Sequence, residues 1–136
     1  MAEAEAEAAY KEFLAAYTEW MLKGMPKGLT PKLQKLASKE ALDEIELDGD
    51  ADRESGIVFR GGPMVIAGQK TAVKSPTDVS MSTCLDMSKF SATSNGQHTE
   101  TPRWFRQESR LVKDGSVWIV TKDRGLPAKT KDECVP

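Results

Sequence analysis

The chain has 136 residues, the size of one ordinary domain with one core. Nineteen basic against twenty-one acidic residues give a net charge of −2, which excludes the basic footprint of a nucleic-acid binder and the block charge of an acidic tail. No apolar run approaches the roughly 20 residues that span a bilayer, and Met1 leads into AEAEAEAA rather than a signal-peptide pattern. That opening fits either a cytosolic start or a start placed where an export signal has been removed.

Residues 1–24 read as one long amphipathic helix. Tyr10, Phe13, Leu14, Tyr17, Trp20 and Met21 fall at i, i+3, i+4, i+7, i+10 and i+11, a single stripe that belongs against a core. A ligand-contacting role for Tyr17 or Trp20 is the sharper alternative. Glutamates in the first turns suit the positive helix end, and Gly24 stands where the helix should stop. Over residues 30–55 short helices are expected. Thr30 and Pro31 make an N-terminal cap and first turn, Leu33, Leu36 and Ala37 one apolar face, and Ser38 opens a second short helix through Leu47. DGDADRESG then reads as a polar turn.

From Ile57 the period changes to two, and residues 57–123 are expected to form an antiparallel sheet. Gly61, Gly62 and Pro63 interrupt its start with a bulge, bend or edge. TDVSMSTCLDM alternates cleanly, with Val79, Met81, Thr83 and Leu85 on one face and Ser80, Ser82, Cys84 and Asp86 on the other. SATSNGQHTETP has the composition of an exposed loop with a turn at Asn95-Gly96. RWFRQESRLVKDGSVWIVTKD reads as two strands joined at Asp114-Gly115. Residues 124–136 read as an irregular tail. Helices followed by a strand meander define an α+β domain over residues 1–136, with the sheet curled around its helices.

Chemical motifs are few. Cys84 and Cys134 form no CxxC pair, and a lone histidine cannot complete a zinc set. Asp86 beside Cys84 would raise a thiol pKa, which argues against a nucleophile. A disulfide holding the tail to the outer side of the sheet is the simpler reading and would imply an oxidising compartment; two unrelated thiols is the alternative. His98 lies in a polar stretch with no partner to orient it. Asp48, Asp50, Asp52 and Glu54 suggest a calcium loop, but the sixth position is Arg53 and the twelfth Phe59, so a solvated acidic turn is the better account. Arg103-Trp104-Phe105-Arg106 could stack on bases, yet no wider basic stripe supports nucleic acid. No metal or cofactor is implied by these motifs.

VSMSTCLDMSKF, the polar stretch after it, RLVKDGSVWIVTKD and the closing DEC resemble the small NTF2-like (SnoaL-like, cystatin-like) proteins exported by actinobacteria, many of them lipoproteins. The matching positions are Cys84-Leu85-Asp86, then Val112, Asp114-Gly115, Trp118 and Val120, then Cys134, with AAYKEFLAAYTEW resembling that fold's first helix. The resemblance implies a cone, with helices packed into the concave face of a bent antiparallel sheet. It also implies pairing of the two cysteines and export to the cell envelope or beyond, with a cytoplasmic location as the alternative. GGP in the first strand and the lack of a lipid-attachment cysteine near the start depart from the pattern.

Three functions are compatible with this reading. The first is a non-catalytic extracytoplasmic binding or adaptor module for an unknown protein or envelope component, which a homodimer or an exposed patch at Met64, Val65 and Ile66 would favour. The second is a small-molecule carrier with a pocket lined by Tyr10, Tyr17, Trp20, Met21 and Met81. The third is an isomerase or dehydratase, for which Asp86 with Tyr17 or Tyr10 is the only combination to nominate, and Asp86 is expected to point outward.

Overall fold

In the computed structural model, which describes residues 1–136, the aromatic stripe sets the architecture. Helix α1 (Ala2–Leu22) buries Tyr10, Phe13, Leu14, Trp20 and Met21, and the rings of Tyr10, Phe13, Tyr17 and Trp20 follow one another at 5.8–6.0 Å between centroids. The helix ends at Leu22, and Gly24 beyond it, with a positive φ of 92°, lets the chain turn back so that the Met25 amide reaches the Trp20 carbonyl. Helix α2 (Pro31–Leu36) starts with the Thr30 hydroxyl accepting from the Leu33 amide at 3.3 Å.

Helix α3 (Lys39–Glu54) begins at Ser38, whose hydroxyl accepts from the Ala41 amide. It departs from the expected short helix and polar turn: DGDADRE continues as helix for almost two further turns. Tertiary contacts explain this. Gly49 is buried with the Trp20 ring directly over it, and the Arg53 guanidinium donates to the Met25 carbonyl and pairs with Asp50.

The strands form two antiparallel sheets. The larger has the order β2-β3-β6-β7, from β2 (Val65–Ser75), β3 (Asp78–Asp86), β6 (Trp104–Asp114) and β7 (Val117–Ala128). The smaller has the order β1-β4-β5, from β1 (Ile57–Gly61), β4 (Phe90–Ser94) and β5 (Gln97–Thr99). The presumed loop SATSNGQHTETP is therefore largely a hairpin, turning at Asn95-Gly96, and Ala92 is its buried contribution. The Gly61-Gly62-Pro63 break separates β1 from β2 and lets the chain change sheets.

β3 alternates as its sequence predicts. Val79, Met81, Thr83 and Leu85 are buried beneath the helices, while Asp78, Ser80, Ser82 and Asp86 are partly accessible on the other face. The C-terminal residues are not an irregular tail. β7 stays paired with β6 as far as Ala128 opposite Trp104, and Thr130 then caps a short helix, α4 (Lys131–Cys134). Cys134 is bonded to Cys84, with their Cα atoms 5.1 Å apart, so α4 lies against the outer face of the larger sheet. Cys84 occupies the polar-side register yet is fully buried, because α4 covers it. Val135 fills the space over Gly68, whose lack of a side chain permits the approach. The result is an α+β fold whose helices fill the concavity of bent antiparallel sheets. No helix is long and apolar enough to cross a membrane.

Candidate functional site

Packing of α1 and α3 across the larger sheet leaves a cavity of about 250 Å³. Phe13, Leu14, Tyr17 and Met21 face it from α1, one side of the aromatic stripe. Ala41, Glu44, Ile45 and Asp48 face it from α3 at i, i+3, i+4 and i+7, so one helical face supplies both apolar wall and acidic rim. Met64, Leu85, Met87 and Phe105 complete the apolar wall, and Gln107, Asp123 and Gly125 form the floor.

Asp123 owes its place there to a β-bulge. Leu111 pairs with Val120 but Arg110 pairs with Lys122, so Thr121 is an extra residue in β7. Strict alternation from Trp118 and Val120 would turn Lys122 inward; the extra residue turns Asp123 and Gly125 inward instead, opposite Ser109 and Gln107. The carboxylate is then gripped by three donors. Tyr10 Oη at 2.9 Å and Ser109 Oγ at 2.6 Å donate to Oδ1, and Gln107 Nε2 donates to Oδ2 at 3.1 Å.

The electrostatics follow from this arrangement. Burial pushes the Asp123 carboxyl above the ordinary aspartate value, while hydrogen bonds from Ser109, Tyr10 and Gln107 pull it part of the way back. Burial and the Asp123 charge raise Tyr10 well above the ordinary phenol value. Tyr17 is raised by burial and then by the negative charges of Asp48, Asp123 and Asp52, which keeps it a neutral phenol. No protein group hydrogen-bonds its hydroxyl. At the rim, Asp48 is raised by partial burial and by Glu44.

Of the residues that sequence reasoning nominates, Tyr17 and Met21 line the cavity. Tyr10 lies one layer behind, with its hydroxyl on Asp123. Trp20 packs away from the cavity against Gly49 and donates from Nε1 to the Pro26 carbonyl at 3.0 Å. Met81 is in the core, where Gln69 Nε2 approaches its sulfur at 3.1 Å. Asp86 points outward and takes both Nε and Nη2 of Arg103 at 3.1 Å, which holds its carboxyl down at about 2. It meets neither tyrosine, so the one acid–tyrosine combination nominated from sequence is not formed. His98 is exposed on β5. Met64, Val65 and Ile66 are half-buried, not an exposed patch.

No protein-family model matches the sequence, and no curated protein does. Solved structures do share the architecture. The intermembrane space region of the chloroplast protein ARC6 matches with a TM-score of 0.58 at 11% identity, over 94% of this chain and 98% of its own. An NTF2-like protein from Cytophaga hutchinsonii matches with a TM-score of 0.58 at 14% identity, over 89% and 93%. A scytalone dehydratase by assignment, from Novosphingobium aromaticivorans, matches with a TM-score of 0.52 at 10% identity, over 90% and 83%. At these identities the likeness establishes the fold alone: the chain has the NTF2-like fold.

Proposed function

We propose that this protein is a non-catalytic binding domain that holds a small, mainly apolar molecule in the cavity between α1, α3 and the larger sheet. The observation that carries the reading is the unfilled volume itself. Beside a twenty-residue buried cluster, about 250 Å³ remains open beneath Phe13, Tyr17 and Phe105, and ten of its fifteen lining residues are hydrophobic. An apolar cavity of about 150 Å³ accepts benzene, so this one suits a ligand of one or two rings.

Two features support holding over chemistry. The Tyr10 proton and both Asp123 oxygens are already engaged with protein partners, and Asp86 is engaged with Arg103 on the outer face. The half-buried state of Met64, Val65 and Ile66 makes the cavity, rather than that segment, the better-supported place for a partner. The Cys84–Cys134 bond supports residence in an oxidising compartment, the cell envelope or outside it.

The test is saturation-transfer NMR with indole. Transfer to indole is expected with the native protein and is lost in Ala41→Phe, which fills the cavity from α3, while near-UV circular dichroism stays native. Failure of the native protein to saturate indole, toluene or benzyl alcohol would contradict the reading.

A further inference from the structure

The carboxyl side chains lining the cavity are Glu44 and Asp48 at the rim and Asp123 on the floor. No lysine, arginine or histidine faces it. Arg124 approaches Glu44 at 3.9 Å with both side chains largely in solvent, and Asp48 makes no side-chain ion pair or hydrogen bond. At the floor, Gln107 uses one of its two amide N–H groups on Asp123 Oδ2, which leaves the Gln107 Oε1 and one further site on Asp123 Oδ2 as acceptors. Gly125 leaves room for the Gln107 amide, since a Cβ there would collide with Gln107 Oε1. Three aromatic rings, Phe13, Tyr17 and Phe105, stand around these acceptors, and aromatic faces attract cations. No group of three or more His, Cys, Asp or Glu side chains comes together to hold a metal ion, and the apolar wall of Phe13, Leu14, Met21 and Ile45 suits an organic body.

Resting on the cavity reading above, we propose that the ligand is a small organic cation: a protonated amine on an apolar body, its N–H groups on Asp123 and Gln107 and its hydrocarbon against Leu14, Met21 and Ile45. The acidic rim draws such a molecule in and repels carboxylates and phosphates.

Three probes with the same phenylethyl body test this by NMR titration: 2-phenylethylamine, 2-phenylethanol and the bulkier 3-phenylpropanoate. The amine is expected to bind about tenfold more tightly than the alcohol, the advantage of a charge-assisted over a neutral hydrogen bond, with the carboxylate weakest. Asp123→Asn should abolish the amine's advantage and leave the alcohol's affinity within about threefold. Added salt should weaken the amine and not the alcohol. If the alcohol or carboxylate binds the native protein as well as the amine does, the cation inference is overturned and the cavity reading stands. If none of the three binds, the cavity reading falls and this inference with it. The ranking on the native protein decides the matter even if Asp123→Asn fails to fold.

Discussion

Tyr10 on the first helix donates its hydroxyl proton to Asp123 on the last strand at 2.9 Å, across 113 residues of sequence. That one bond links the helix layer to the floor of the cavity, and it sits where water is scarce. A hydrogen bond to a charged acceptor in such a place contributes about 1.5–3 kcal/mol. Tyr10→Phe keeps the ring packing and deletes the donor, so urea denaturation should register a loss in that range. It should also push the Asp123 carboxyl further above its ordinary value, because one of the donors that favours the charged form is gone. A titration followed by carboxyl-selective NMR checks this second outcome.

Gly49→Ala sets two effects of opposite sign against each other. In an exposed helix interior the change would stabilise by about 1 kcal/mol. Here the new methyl would lie about 2.5 Å from the Trp20 ring, which is buried and held by its bond to the Pro26 carbonyl. Overpacking of that kind costs roughly 1–3 kcal/mol, so net destabilisation is expected, with a changed Trp20 signal in near-UV circular dichroism.

Replacing Cys84 and Cys134 with alanine opens a loop with a sequence separation of 50. The chain-entropy relation gives a loss of about 4 kcal/mol, to be measured by urea denaturation against the oxidised parent. The variant should also expose Gly68 and the amides around it to hydrogen exchange, since α4 and Val135 are no longer held over them. Intact mass before and after reduction, with alkylation, establishes that the parent carries the bond.

Stability should peak on the acid side of neutrality, because two groups of carboxylates act in opposite directions. Asp123, Asp48 and Asp52 have raised folded values, each with burial as the largest cause, so the folded state takes up protons before the unfolded chain does. As pH falls towards their ordinary value of 3.8 they add stability. Asp86 is held at about 2 and Asp78 is also lowered, chiefly by hydrogen bonds from Arg103 and Arg110. What those two contribute is present above pH 3.8 and is lost as pH falls through the depressed values. Denaturation midpoints taken from pH 7 to pH 2 should rise and then fall. Asp123→Asn should flatten the rise.

The scaffold was legible where local pattern and burial agree. The stripe from Tyr10 to Met21 and the alternation of Val79, Met81, Thr83 and Leu85 follow directly from periods of 3.6 and 2. The Cys84–Cys134 bond was legible because no other chemistry suited either cysteine, and the alternation of β3 put Cys84 on the outer side. The floor of the cavity was not legible. Asp123 lies in VTKDRG, where simple alternation from Val120 assigns Lys122 to the interior; only the bulge at Thr121 reverses this, and no glycine or proline marks it. The last turns of α3 were hidden for a related reason. DGDADRE is a poor helix by propensity, and the contacts that stabilise it, Trp20 on Gly49 and Arg53 on the Met25 carbonyl, come from the last turn of α1 and the segment just after it. The hairpin of β4 and β5 buries little beyond Ala92, so its polar sequence reads as loop.

The measurement that tests the central claim most directly is a methyl-resolved ¹³C–¹H correlation spectrum of the native protein, titrated with 2-phenylethanol. The cavity account predicts saturable shifts confined to Leu14, Met21, Ala41, Ile45, Met64, Leu85 and Met87, the methyl groups around the cavity. Shifts gathered instead on Val73, Val117 and Leu126, which are exposed on the surface, would contradict it, as would a spectrum that does not change.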